Sequence, residues 1–447
     1  MTDTAVRAGF TRDAVEEISR LKDEPDWMRR RRLDAFDVYE RMPLPSRNEE
    51  EWRRTDVSKL SLDGYVPFAA NGRGVDALPD DLRPSDDAAS RGGLLVQHNS
   101  ANAALELHDD LRARGVIVAD LDTAVREHGE LVQRYFMTEA IPTTYNKFTA
   151  LHAAFWSGGV FIYVPRGVEV ELPVQGVLYA DAPGLGIFGH TLIVVEENAR
   201  LTYVEEHSSA PTGRAGFSSG VSELFLGRGA QVRYVAMQEL APDTTSFWAQ
   251  RAIAHADSNL NWLVVSVGST FSKNNVEAHL TEAGASAEML GLFFVNEDQF
   301  VDHHTGQEHI APNTTSDLLY KGVVADRARS VFSGMIRVHE GAQKTDAYQT
   351  NRNLLLSDEA RADSIPNLEI GANDVRCSHG ATVAPLDEEE VFYLQSRGVQ
   401  RNEATKIIVD GFFEPLMIRI PLASVQERLR DFIDRKMGQA RFKGDIE

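Results

Sequence analysis

Cys377 and His379 stand two residues apart in the stretch RCSHGATV, and Cys377 is the only cysteine in a chain of 447 residues. In an extended strand, residues i and i+2 project to the same face. A thiolate and a neutral imidazole would then lie side by side, and both are ligands for iron or zinc. Two donors do not complete a site. Structural zinc takes about four ligands, and an iron–sulfur cluster is normally held by several thiolates. A metal or cluster bound here needs donors from another chain. The same residues also read as a small packed thiol and a satisfied histidine.

A second group sits in DQFVDHHTGQEHIAPNTTSD, where His303, His304 and His309 accompany Asp302 and Glu308. The spacing is not HExxH, whose histidines share a helix face. On a strand, His303 and His304 would face opposite ways, so a polar loop or strand edge is expected rather than a metal centre. No GxxxxGK[ST] phosphate loop is present, and the strings GLGIFG at 184–189 and GFSSG at 216–220 match GxGxxG and GxSxG without the strand-then-helix context that either motif needs. The 67 acidic residues form no specific pair for glycoside hydrolysis. These absences favour a scaffold or binding protein over an enzyme.

The formal net charge of −21 opposes nonspecific binding to nucleic acid or an anionic membrane. The run Arg29–Arg32 lies among Trp27, Leu33 and Phe36 and reads as a solvated helix face. One cysteine excludes an internal disulfide framework and fits a reducing cytoplasm. The opening residues show no basic stretch followed by an apolar run, so no signal peptide is expected. The tract IIVDGFFEPLMIRIPLA is interrupted by Asp410, Glu414 and Arg419. It reads as core or partner surface rather than a membrane span.

The elements that would position these residues fall into three regions. Residues 1–152 read as mostly helical: Thr11 can cap a helix bearing Val15, Ile18 and Leu21, and Pro25 can open the next. Residues 70–100, rich in Gly, Asp and Pro, read as a linker. Residues 153–380 change to short runs of Val, Ile, Phe, Tyr and Leu. A phrase recurs there: GVEV at 167, NARL at 198, GAQV at 229, SNLN at 258, GASA at 284, RARS at 327 and EARA at 359. A period near 30 with strands and no helical patterning predicts a solenoid of seven stacked coils, either a β-helix or a related stacked β-sandwich, whose ends the flanking helices would cover. Residues 381–447 read as helical again. Asp387 can cap one helix and Asn402 the next, and Pro421 can open the last. Ile407, Ile408, Phe412 and Leu416 cluster on one side, while Phe413, Met417 and Ile418 leave apolar surface beyond that stripe. Phe412, Phe413, Leu416, Met417 and Ile418 are therefore candidates for a partner surface.

Four long motifs carry a resemblance: NKFTALHAAFWSGGVFIYVPRGVEVELPVQ, DHHTGQEHIAPNTTSDLLYKGVV, TDAYQTNRNLLLSDEARADSIPNLEI and DVRCSHGATVAPLDEEEVFYLQSRGV. From about residue 115 to 435 the chain resembles the SufB/SufD family of iron–sulfur cluster assembly proteins. The resemblance implies a right-handed parallel β-helix between N-terminal and C-terminal helical domains. SufB-like chains carry a glutamate directly after the motif histidine, where this chain has Gly380. They also carry a cysteine on a late strand, where this chain has Asn351 or a near neighbour. Both departures point to the SufD-like branch. The resemblance implies pairing with a SufB-like paralogue through the β-helix and docking of a SufC-like ATPase through the C-terminal helices. It implies no tightly bound cofactor, but a nascent iron–sulfur cluster shared transiently with SufB. His379 would be this chain's metal ligand, with Cys377 a weaker candidate. The alternatives are a homodimer in isolation that acts as a stand-alone scaffold, and a carbohydrate-active β-helix enzyme.

Overall fold

The computed structural model describes residues 9–70, 72–84 and 90–440. Its strands are β1 (Gly93–His98), β2 (Ala101–Leu107), β3 (Ile117–Asp120), β4 (Gly159–Val164), β5 (Val174–Ala180), β6 (Gly186–Ile187), β7 (His190–Val195), β8 (Arg200–Ser209), β9 (Gly216–Leu226) and β10 (Gln231–Glu239). They continue as β11 (Thr244–Ala254), β12 (Asn259–Ser266), β13 (Phe271–Leu280), β14 (Ser286–Val295), β15 (Phe300–His309), β16 (Thr315–Val324), β17 (Arg329–Val338), β18 (Asp346–Leu355), β19 (Arg361–Ile370) and β20 (Arg376–Pro385). The helices are α1 (Arg12–Leu21), α2 (Asp26–Arg41), α3 (Asp109–Ala113), α4 (Leu121–Glu127), α5 (Gly129–Tyr135), α6 (Lys147–Phe155), α7 (Glu388–Ser396), α8 (Arg401–Met417) and α9 (Ala423–Gln439).

The chain winds between two facing sheets. The first runs β2-β1-β5-β8-β10-β12-β14-β16-β18-β20, the second β19-β17-β15-β13-β11-β9-β7-β4-β3, with β6 beside β9. All pairs are parallel except β1–β2 and β3–β4. This is a parallel β-solenoid of about eight turns with helices toward both termini. At one strand spacing per turn, the run from β5 to β20 is ~34 Å long.

The recurring phrases mark corners. Asn198, Gly229, Asp257 and Gly284 all have positive φ, and the small residue after each, Ala199, Ala230, Ser258 and Ala285, is fully buried. Left-handed backbone favours Gly, Asn and Asp. At Gly229 a Cβ would also lie 2.3 Å from Asn198 Oδ1, so any other residue there requires the Asn198 side chain to move. The wide gap between GASA and RARS is a change of sheet: GASA precedes β14 in the first sheet, RARS precedes β17 in the second. The first-sheet corners continue at Asn313 and Lys344. Thr314 and Thr345 fill the small position after them and hid them, RARS and EARA of the second sheet were counted in their place, and the turn entering β20 carries no such phrase, which leaves the count one turn short.

Other expectations change. Residues 93–98 are a fully buried strand, not linker; residues 71 and 85–89 of that stretch, like 1–8 and 441–447, lie outside the described residues. Of the arginine run only Arg29 and Arg30 are exposed. Arg32 is buried, bound to Glu24 at 2.6 Å and to Ala154 O, while Arg31 donates to Phe136 O. Thr11 and Asp387 cap α1 and α7. Asn402 lies inside α8, which follows Gln400.

The helices do not close the far end of the solenoid. The N-terminal helices cover the outer face of the second sheet, where Phe36, Phe148 and Phe155 meet Leu192, Phe217 and Phe247. α8 and α9 lie on the outer face of the first sheet, where Phe413, Leu416 and Phe432 meet Val235, Leu263, Leu290 and Phe294. Burying each such side chain contributes about 1.5–3 kcal/mol. Polar ties fix the same seam: Lys321 to Phe412 O, Arg419 to Glu288 and Asp317, and Lys436 to Asn296 and Gln299.

Candidate functional site

β19 and β20 are the terminal strands of their sheets, and among the described residues no further turn stacks on them. The parallel register aligns Tyr203, Tyr234, Trp262, Met289, Leu318, Gln349 and His379 in one inward-facing row. In the earlier turns this position is buried; at the last rung no described residue covers it, and His379 is exposed. No hydrogen bond or ion pair engages its ring among the described residues. Cys377 ends the adjacent row, after Ser316 and Ala347, so thiol and imidazole share one face at the open end.

The two donors differ in setting. Cys377 is half-buried against Ile336, Val338 and Ala347. Burial pushes its thiol pKa up, Asp346 adds to the rise, and a backbone hydrogen bond with Ala347 partly opposes it. The thiol is therefore protonated and sluggish at neutral pH. Alkylation of Cys377 by iodoacetamide at pH 7 is expected to run at least about threefold slower than that of a free cysteine, and to accelerate above pH 9. A rate at pH 7 equal to free cysteine, read by mass spectrometry, would show a ready thiolate instead.

Behind His379 the interior is polar. Gln349 is buried and donates to Asn367 O at 3.1 Å. Asn351 is buried, donates to Tyr320 O at 3.4 Å and accepts from Asn353 at 2.7 Å. Gly380 points to the opposite face. A Cβ there would meet Tyr348 Oη at 3.4 Å and Thr350 Oγ1 at 3.7 Å, ordinary contact, so space does not impose glycine. Among the described residues no three His, Cys, Asp or Glu side chains converge to hold a metal ion.

The other histidines lie in β15, a central strand rather than a loop or an edge. His303 faces inward, meets Ser266 Oγ at 3.1 Å, and burial lowers its pKa to about 4. His304 faces outward and meets Asp302 at 3.1 Å. Outside this sheet a groove of about 880 Å³ is lined by His279, His304 and His339 among others. Each of these imidazoles already meets a carboxylate: His279 meets Glu277, His304 meets Asp302 and His339 meets Glu308, at 3.0–3.1 Å.

The five apolar candidates on α8 separate. Phe413, Leu416 and Met417 are buried in the chain's own core. They are not surface, because the outer face of the first sheet is itself apolar and takes them. Phe412 is half-buried, with Lys321 Nζ 4.5 Å from its ring. Ile418 is 70% exposed. The largest exposed aromatics were missed: Phe392 at 72% and Tyr393 at 58%, both on α7, with Ile407 exposed on α8. Their signal was legible. Val391 and Leu394 occupy the inward i, i+3 positions and leave the two aromatics between them facing out.

Comparison with known proteins agrees with this architecture. The family profile described as "SUF system FeS cluster assembly, SufBD core domain" matches residues 178–412, and "SufBD protein N-terminal region" matches residues 15–176. The iron-sulfur cluster assembly protein SufD of Bacillus subtilis is 32% identical over 430 residues, covering 95% of this chain and 97% of its own. SufB of the same organism is 31% identical over 437 residues, covering 94% and 92%. An iron-sulfur cluster assembly SufBD family protein of Staphylococcus saprophyticus is 31% identical over 434 residues, again covering 94% and 92%. A solenoid with helical flanks, an open end bearing His379 and Cys377, and relatives matched along nearly their whole length lead to one assignment: the chain belongs to the SufBD family of iron–sulfur cluster assembly proteins.

Proposed function

We propose that this chain is the SufD-like subunit of a cluster assembly scaffold, a platform rather than a catalyst. Its open solenoid end pairs with a SufB-like paralogue, and the nascent cluster forms at that junction as cargo. The observation that carries this reading is His379: an exposed, unengaged imidazole on the terminal edge strand, within reach of a second chain. Cys377 stands beside it as an auxiliary donor. Gly380, where SufB-like chains carry glutamate, and the absence of thiol at the buried Asn351 favour the SufD-like branch. The two Bacillus relatives, at 32% and 31%, do not separate the branches.

A SufC-like ATPase docks on the C-terminal helices, through Phe392, Tyr393 and Ile418. Phe412, Phe413, Leu416 and Met417 act beneath that surface, holding α8 to the solenoid. Arg428 reaches Glu206 and Asp81, and Arg435 reaches Glu239. Such a seam would pass motion of the helices to the solenoid as a rigid body. The reading places the assembly in the cytoplasm, away from membranes and nucleic acid; among the described residues no helix is long and apolar enough to cross a membrane.

Affinity isolation of the tagged chain from its own cell tests the proposal. An ATPase and a cysteine-bearing paralogue are expected in comparable amounts. Recovery of the chain alone, already holding a stable cluster, would support the homodimeric scaffold instead.

A further inference from the structure

Where the loop after α2 crosses the outer face of the second sheet, a cleft of about 320 Å³ is lined by Arg47, Arg54, Asp56, Phe271, Phe300 and Arg329. Its walls are fixed. Trp52 is buried and packs on Phe148 and Phe247, with ring centroids 5.6 and 6.2 Å away. Thr55 donates to Asp302 on β15, and Lys273 Nζ on β13 donates to Glu51 O at 3.1 Å. The loop is thereby held against β13 and β15, the strands that Phe271 and Phe300 open.

The floor is the end of an aromatic ladder. Phe148 stacks on Phe247 at 3.6 Å, Phe247 meets Phe271 at 5.6 Å, and Phe271 stacks on Phe300 at 5.2 Å. The last two rings are half-buried. The parallel register then puts Arg329 beside Phe300 and Arg361 beside Arg329, so charge replaces the ring on the next two rungs. Neighbouring arginines have partners within the chain: Arg53 meets Glu50, Arg327 meets Asp298, and Arg337 meets Glu308 and Glu369. Among the described residues Arg54 and Arg329 make no hydrogen bond or ion pair, and Arg47 donates only to Arg53 O at 3.2 Å. Asp56, the one carboxylate in the lining, accepts from Ser58 N at 3.0 Å.

We propose that this cleft binds a nucleoside monophosphate: the base extends the ladder beside Phe300, and the phosphate is taken by Arg47, Arg54 and Arg329. Guanidinium forks match phosphate oxygens, and a flat base stacks on an aromatic ring. The volume sits near the ~300 Å³ lower bound of small-molecule sites. Size also favours a small ligand over an acidic protein segment. A small anion in the cleft feels mainly these guanidiniums, because salt screens exposed charges beyond about 8 Å. A long acidic segment would also face the rest of a chain whose net charge is −21. An occupant touches both the loop after α2 and the strands β15 and β17, so it ties the N-terminal region to the solenoid and stabilises the full chain by mass action.

Calorimetric titration of the full chain with adenosine 5′-monophosphate, beside adenosine, ribose 5-phosphate and a polyglutamate peptide, tests this. The nucleotide is expected to bind at least about tenfold more tightly than adenosine or the sugar phosphate, since each of those lacks one half of the recognition. Arg54→Gln combined with Arg329→Gln should weaken the nucleotide by about tenfold or more and leave adenosine unchanged. Both arginines are exposed, so that variant should fold as the wild type does. Phe300→Leu should lower the nucleotide to the level of ribose 5-phosphate; should it fail to fold, the arginine pair decides. No nucleotide binding in the millimolar range, equal affinity for nucleotide and ribose 5-phosphate, or an unmoved constant in the arginine variant overturns the site. Tighter binding of polyglutamate than of nucleotide would make the cleft an acidic-peptide surface and refute the proposal as well.

Discussion

Replacing His379 with alanine is expected to leave the solenoid folded and to cut the anaerobic cluster yield of the assembled complex by at least about tenfold. The first half follows from exposure. The ring ends an inward row but has no next turn to pack against, and no hydrogen bond engages it among the described residues. Substitutions at such positions usually change stability by about 0.5 kcal/mol or less. The second half follows from ligand chemistry. Losing even a residue that only orients a ligand costs about 10–100-fold in metal affinity, so losing a ligand should cost no less. His379→Asp, which keeps a donor atom on the same rung, should recover part of the yield. Equal yields from wild type and His379→Ala, with subunit stoichiometry unchanged, would remove the imidazole from the site.

The second large effect is expected at α7. Changing Phe392 and Tyr393 to alanine should weaken ATPase binding by roughly thirtyfold or more, since an interface aromatic that acts as a hot spot contributes about 2 kcal/mol or more. Both side chains are exposed, so the thermal midpoint of the isolated chain should hardly move. This pair is a sharper test than deleting the C-terminal helices. Truncation before Asp387 would uncover Val235, Leu263, Leu290 and Phe294 on the first sheet, and any lost binding could then reflect a damaged fold. Titration of the ATPase against the double variant at unchanged affinity would move the docking surface elsewhere.

Much of this architecture was legible in the residues. The corner phrases reveal a stack because the corners at Asn198, Gly229, Asp257 and Gly284 each place a small buried residue after a left-handed one. The pattern fails at Asn313 and Lys344, where Thr314 and Thr345 fill the buried position, and reading it there jumps from one sheet to the other. The strand β1 is hidden because GLLVQH, four apolar or small residues followed by Gln97 and His98, carries no periodicity. The inward turn of Phe413, Leu416 and Met417 was readable in a different place. Runs such as NWLVVSV and MLGLFFV are apolar at both strand parities, which marks strands covered on both faces. A helix carrying a surplus of apolar residues was their cover.

The two ends of the solenoid are unlike, and this limits what surplus copies of the chain can do. At one end β20 offers a straight ten-residue border of unpaired backbone, with β19 alongside. At the other, β2 shifts register against β1 and β3 has only four residues, both poor templates for addition. On the proposed pairing, chains made in excess of a SufB-like paralogue have one adhesive terminus each. They can meet head to head and stop at two, so overproduction should yield discrete pairs that dissolve when the missing subunit arrives, instead of growing fibres.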